Sequence, residues 1–142
     1  MIERYETPEI KAIWNDQNRF QKWLDVELAV CKAWNEAGRI PDEDYRNITE
    51  KASFSVDRIK EIEEVTQHDV IAFVSSVAEC IGESGRFVHL GLTSSDVIDT
   101  ASSLLLSESL DTVRDALSVL HRTLGAKANE YKWIPCAGRT HG

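Results

Sequence analysis

The stretch "TSSDVIDTASSLLLSESLDTVRDALSVLHRTLGAKANEY", residues 93–131, decides the fold. Its first four residues, Thr93 to Asp96, combine a hydroxyl cap with an acid three positions on, the pattern that starts a helix. From Asp96 to Tyr131 nothing stops that helix, and Gly125 is tolerable within it. At 1.5 Å per residue this is a rod of about 50 Å. Leu106, Leu110, Val113, Leu117, Leu120 and Leu124 recur at alternating spacings of four and three, the seam of a helix that lies along partners for many turns. An internal core helix and a bundle shared between subunits both produce such a seam. Its length favours the shared bundle, because a single chain of 142 residues has little to lay against it.

The rest of the chain reads the same way. Only three prolines occur and no two-residue alternation is sustained, so the fold class is all-α. Thr7-Pro8-Glu9 opens a short helix with a hydroxyl cap, a proline at the first position and an acid in the first turn. Phe20, Leu24, Glu27/Leu28, Cys31 and Trp34 share one face of a longer helix, which Gly38 and Pro41 end. A third helix covers roughly 41 to 52, and Ser55 or Asp57 caps a fourth that runs toward Val65. Thr66-Gln67-His68-Asp69 reads as another start, a threonine cap with His68 in the first turn, leading into Val70, Phe73, Val74, Val77 and Ile81. Gly82, Gly85 and Gly91 mark 82 to 92 as a loop carrying Arg86 and His89.

Composition narrows the function. A hydrophobic fraction of 42% suits a globular domain, and a net charge of −8 argues against nonspecific binding to nucleic acid or an anionic membrane. No apolar run is long enough for a membrane span and the N-terminus has no secretory pattern, so the expectation is a cytoplasmic protein. Cys31, Cys80 and Cys136 form no CxxC pair and are expected to be buried thiols without a disulfide or zinc site. The histidines are more informative. His121 lies inside the long helix and reads as structural or solvated. His68, His89 and His141 lie at helix starts or beside glycines, where sites are built. Each alone is ordinarily a hydrogen-bonded imidazole without function, and three in similar surroundings favour a site. None has metal-ligand spacing. Thr93 and Ser94 offer hydroxyls and backbone N–H groups to an anion, although capping explains them equally well. Arg4-Tyr5 pairs a planar donor with a ring suited to a phosphate and a base. Arg139, Thr140 and His141, between Gly138 and Gly142, form the most reactive-looking run.

Taken together, "RYETPEI" (4–10), "TQHDV" (66–70), "HLGLTSSDVIDT" (89–100) and "GRTHG" (138–142) resemble the ordered motifs of the adenylosuccinate lyase family, within the fumarase/aspartase superfamily. The resemblance covers the whole chain. It implies a β-elimination that releases fumarate from adenylosuccinate, leaving AMP, and from the succinylated aminoimidazole carboxamide ribotide of purine synthesis, with no cofactor and no metal. The small-molecule substrate is then a succinylated purine nucleotide or precursor. The resemblance makes His141 the general acid that protonates the departing nitrogen. It gives His68, with Gln67 and Asp69, the contact that orients the reacting groups. Thr93 and Ser94 hold a succinyl carboxylate, Arg4 and Tyr5 contact the nucleotide, and His89 faces the ligand. It further implies an N-terminal helical domain over 1–93, and over 94–142 the first long helix of a central helical-bundle domain. Family members carry the serine loop that supplies the base, and a third domain, beyond the stretch matched here. They are homotetramers whose active sites draw on three subunits. A non-catalytic helical oligomerisation or nucleotide-binding module is the alternative, and another lyase of the superfamily, acting on argininosuccinate or carboxymuconate, is a second.

With an acid and no base, a purified polypeptide of these 142 residues is expected to release little or no fumarate. It is also expected to self-associate through its uncovered seam. Turnover of adenylosuccinate, or a compact cooperative monomer in sedimentation, would count against these expectations.

Overall fold

The computed structural model describes residues 3–141. Among them are six α-helices and no strand: α1 (Pro8–Ile13), α2 (Asp16–Glu36), α3 (Asp42–Lys51), α4 (Val56–Thr66), α5 (Asp69–Ile81) and α6 (Ser94–Tyr131). Short 3-10 turns cover Glu3–Tyr5 and Glu83–Phe87. The protein is all-α, as its periodicity predicts.

Most helix ends follow from local chemistry. Thr7 accepts from the Ile10 N–H with Pro8 at the first position of α1, Asn15 accepts from Asn18 at the start of α2, and Ser55 from Arg58 at the start of α4. At the end of α2 Gly38 adopts φ +70°, and its N–H donates to the Asn35 carbonyl while Arg39 donates to Trp34. These two bonds satisfy carbonyls the helix leaves open, and they need the left-handed conformation that glycine adopts freely.

One start differs from expectation. Thr66 is not a cap but the last residue of α4, and its hydroxyl donates to the His68 carbonyl at 3.3 Å. Gln67 closes α4 in the left-handed conformation at φ 52°, which turns the chain so that His68, rather than Thr66, is the N-cap of α5. His68 therefore precedes the first turn instead of lying in it. The expected loop at 82 to 92 also contains the 3-10 turn Glu83–Phe87, seated on α5. There a Cβ on Gly85 would come within 2.9 Å of Ala78, so only glycine allows the approach.

The core is aromatic at its centre. Phe20 and Phe73 stack with their rings 5.7 Å apart, and Trp23 meets both edge-on at 5.2 and 5.4 Å. Ile40, Ile48, Ile59 and Val77 close around them. The first turns of α6 join this core through Val97, Ala101 and Leu105. Polar ties then hold the helix a little further: Trp14 Nε1 donates to Ser109 Oγ at 2.9 Å, and Lys22 pairs with Glu108. Beyond them the helix leaves the body. Leu106, Leu110, Val113, Leu117, Leu120 and Leu124 are all exposed, so the seam faces no partner among the described residues. His121 is exposed with it.

The thiols also depart from expectation. Cys31 is buried, but Cys80 and Cys136 are exposed, because Cys80 lies on the outer face of α5 and Cys136 follows the last helix. Burial, and secondarily the Glu27 carboxylate, push the Cys31 thiol up to about 11. The folded chain thus keeps Cys31 protonated across a range where the unfolded thiol ionises. That contribution to stability is whole below about 9 and fades as pH rises toward about 11. Within these 142 residues, iodoacetamide at pH 8 is expected to add two labels in the native state, at Cys80 and Cys136, and a third only after denaturation. Intact mass reads the count, and rapid native labelling of Cys31 would contradict it.

Candidate active site

Two of the segments singled out in the sequence meet in space. A cavity of about 400 Å³ opens where the start of α5, the 82–92 loop and the start of α6 converge. His68, His89, Thr93 and Ser94 present polar atoms to it, and Val70, Ile71, Val74 and Leu92 supply an apolar wall. A larger hollow of about 500 Å³ lies between α3 and the 3-10 turn Glu83–Phe87. Several of its polar groups bond one another: Asn47 donates to Ser84, Ser84 donates to Asp44 at 2.7 Å, and Arg86 bonds Asp44 and the Glu83 carbonyl. That network fastens the turn to α3, and the smaller cavity is the one that gathers the sequence candidates.

Each polar group has an identifiable local cause. His68 is half exposed and caps α5, its Nδ1 accepting from the Ile71 N–H at 3.4 Å. Asp69 Oδ1 lies 3.5 Å from the same nitrogen and accepts from the Val70 N–H. Thr93 caps α6, and Asp96 Oδ2 accepts from both the Thr93 N–H at 2.8 Å and the Thr93 hydroxyl at 3.0 Å. These bonds, with a smaller contribution from nearby His89, hold the Asp96 carboxyl below its ordinary range. Among the described residues no Lys or Arg lines the cavity.

His89 is fixed most firmly. Its backbone is left-handed at φ 67°, its N–H donates to Glu27 Oε2 at 2.9 Å, and its Nδ1 lies 2.6 Å from Glu27 Oε1. Glu27 is only 1% exposed, and it reaches this loop from the middle of α2. Sequence reasoning set Glu27 within the apolar face of that helix without giving it a role. The signal was present, since an acid seven residues after Phe20 and four before Cys31 falls on a buried stripe and must find a partner there. Nearby, Trp34 Nε1 donates to the Leu90 carbonyl at 2.8 Å, and the ring leaves only 3.3 Å for a Cβ on Gly91.

The other candidates are not gathered here. Gln67 turns its amide back to the Glu64 carbonyl at 2.8 Å, and it lines a separate surface hollow with Lys60, Glu63 and Glu64. Asp69 does not line the cavity. Arg4 and Tyr5 are exposed and bond each other, with the guanidinium 4.8 Å from the ring centroid. His141 is exposed in the stretch that follows α6, and Gly142 lies outside the described residues.

A helical body whose α5 and α6 starts frame a histidine-lined cavity is the frame in which the comparisons with known proteins fall. The sequence model of the family described as Lyase matches residues 3–142, and the chain belongs to that family. It is 51% identical over 142 residues to adenylosuccinate lyase of Bacillus subtilis (strain 168), covering all of this chain and 33% of that protein. With adenylosuccinate lyase of Helicobacter pylori (strain ATCC 700392 / 26695) it is 49% identical over 142 residues, covering 32% of that protein. The chain thus spans about a third of the length of these relatives. The crystal structure of a fumarate lyase from Mesorhizobium sp. BNC1 superimposes with a TM-score of 0.86 over 93% of this chain and 32% of that one, at 24% identity. That likeness shows the fold.

The bonds at the head of α6 make its cap measurable. Thr93→Ala is expected to lower unfolding free energy by about 1 kcal/mol, read from chemical denaturation. Because the folded Asp96 carboxyl sits low, its contribution is whole above the ordinary aspartate range and is lost as pH falls through its folded value. Asp96→Asn is expected to flatten the acid side of the melting-temperature profile, and an unchanged profile would refute this.

Proposed function

We propose that the protein is an adenylosuccinate lyase of purine nucleotide biosynthesis. It breaks a C–N bond by β-elimination, releasing fumarate from adenylosuccinate to leave AMP and from succinylaminoimidazole carboxamide ribotide to leave AICAR. The observation that carries this reading is the identity of about half over the full 142 residues with enzymes of that name. The cavity supports it, since it joins "TQHDV" to "HLGLTSSDVIDT" around two imidazoles and the head of α6.

In this reading His141 protonates the departing nitrogen, for which an imidazole is suited at neutral pH. His68 orients the reacting groups together with Gln67 and Asp69, Thr93 and Ser94 take a succinyl carboxylate, His89 faces the ligand, and Arg4 and Tyr5 contact the nucleotide. A dianionic succinyl group beside a phosphate needs more positive charge than two imidazoles and one helix terminus offer. The cavity, without Lys or Arg among its described lining, therefore fits a site completed by other segments, and the exposed leucine seam fits a homotetramer built on α6. Residues 1–93 then form the N-terminal domain, and 94–142 open a central bundle of a cytoplasmic enzyme. Among the described residues no helix is long and apolar enough to cross a membrane.

The test is fumarate release by the assembled enzyme. Adenylosuccinate is expected to be cleaved, and His141→Ala to lower kcat by about 10²–10⁴-fold, the usual worth of a positioned proton donor. Cleavage of argininosuccinate instead would move the protein to another lyase of the superfamily. Binding of AMP without any elimination would leave a nucleotide-binding module.

A further inference from the structure

We propose that Glu27 and the head of α5 hold the two cavity imidazoles in opposite tautomers: neutral His68 carries its proton on Nε2 and neutral His89 carries its proton on Nδ1, so that Nε2 is a donor in one and an acceptor in the other. The inference rests on the reading that this cavity receives substrate.

For His89 the decisive contact is the 2.6 Å between Nδ1 and Glu27 Oε1. Two heteroatoms that close need a proton between them, and the carboxylate is the acceptor. Oε2 of the same carboxylate already accepts from the His89 N–H, so the group grips ring and backbone together. Nδ1 therefore carries the proton of the neutral ring, and Nε2 is left bare. A carboxylate behind an imidazole acts in this way wherever a defined tautomer is needed.

For His68 the relation is reversed. Its Nδ1 accepts from the Ile71 N–H, so the neutral ring carries its proton on Nε2. Asp69 beside Nδ1 is turned to the Val70 N–H, and Asp96, the other carboxylate near the pair, is held by Thr93. Glu27 thus acts through His89 as a positioning residue and touches no ligand.

The experiment is nitrogen NMR of ¹⁵N-histidine-labelled protein, with His68→Gln and His89→Gln used for assignment. The expected native pattern of the neutral rings is a protonated Nδ1 with a bare Nε2 for His89, and a bare Nδ1 with a protonated Nε2 for His68. In Glu27→Gln the single amide oxygen is taken by the His89 N–H, and the amide NH₂ faces Nδ1. The His89 proton should then move to Nε2 while His68 stays unchanged. Fumarate release from adenylosuccinate by the assembled Glu27→Gln enzyme should fall about 10-fold or more, chiefly in kcat. Glu27→Gln combined with His89→Gln should be no worse than His89→Gln alone.

A native His89 with a bare Nδ1 overturns the proposal, and this needs no variant should Glu27→Gln fail to fold. An unmoved tautomer in Glu27→Gln, or multiplicative losses in the double variant, also overturn it. Absence of native activity on adenylosuccinate, with the nitrogen pattern as expected, would instead refute the substrate reading.

Discussion

Everything around the cavity depends on one carboxylate. Glu27 leaves the apolar face of α2 and accepts two hydrogen bonds from His89, one from the backbone and one from the ring. Bonds to a charged group contribute about 1.5–3 kcal/mol each. The left-handed conformation they hold in a residue with a Cβ costs roughly 1–2 kcal/mol. The bonds outweigh that strain, and the 82–92 loop is therefore set in one place. Four residues later Thr93 caps α6, so His89 lies one short connection from the start of the long helix.

Position along the chain and position in the cavity are linked by the same packing. Gly85 rests against Ala78 and Trp34 holds the Leu90 carbonyl, so the loop is clamped on both sides of His89. The aromatic cluster of Phe20, Trp23 and Phe73 joins α2 to α5, which puts Glu27 and His68 on rigid elements rather than on the loop itself. A site built in this way keeps its geometry without a ligand, and its described lining brings no Lys or Arg to it.

Much of this was legible in the sequence because helix boundaries are local. Thr7-Pro8, Gly38-Pro41, Ser55 and Thr93-Asp96 carry their stop and start signals within four residues, and each lies at or next to a real boundary. The leucine seam was legible for the same reason. Thr66 misled because its spacing to Asp69 matches a capping box, whereas the left-handed turn at Gln67 leaves no local trace in a non-glycine residue. That Glu27 needs a buried partner was legible, but that the partner is His89 was not, since the pairing spans 62 residues and depends on how α2 meets the loop. The meeting of His68 with His89 is tertiary too, and only the resemblance placed them together. His141, Arg4 and Tyr5 remain apart from them in the chain as described.

The left-handed backbone at His89 has a consequence for reading natural variation and engineered libraries at this position. A replacement there is sorted by two independent filters, the conformation first and the chemistry second. Asparagine or glycine passes the first and fails only the second, so its effect reports on the imidazole. Valine or isoleucine fails the first, displaces the loop from Glu27 and shifts the head of α6 before any proton is involved. Tolerance at position 89 therefore measures backbone geometry as much as reactivity, and the two separate only when the substitutions are chosen by φ.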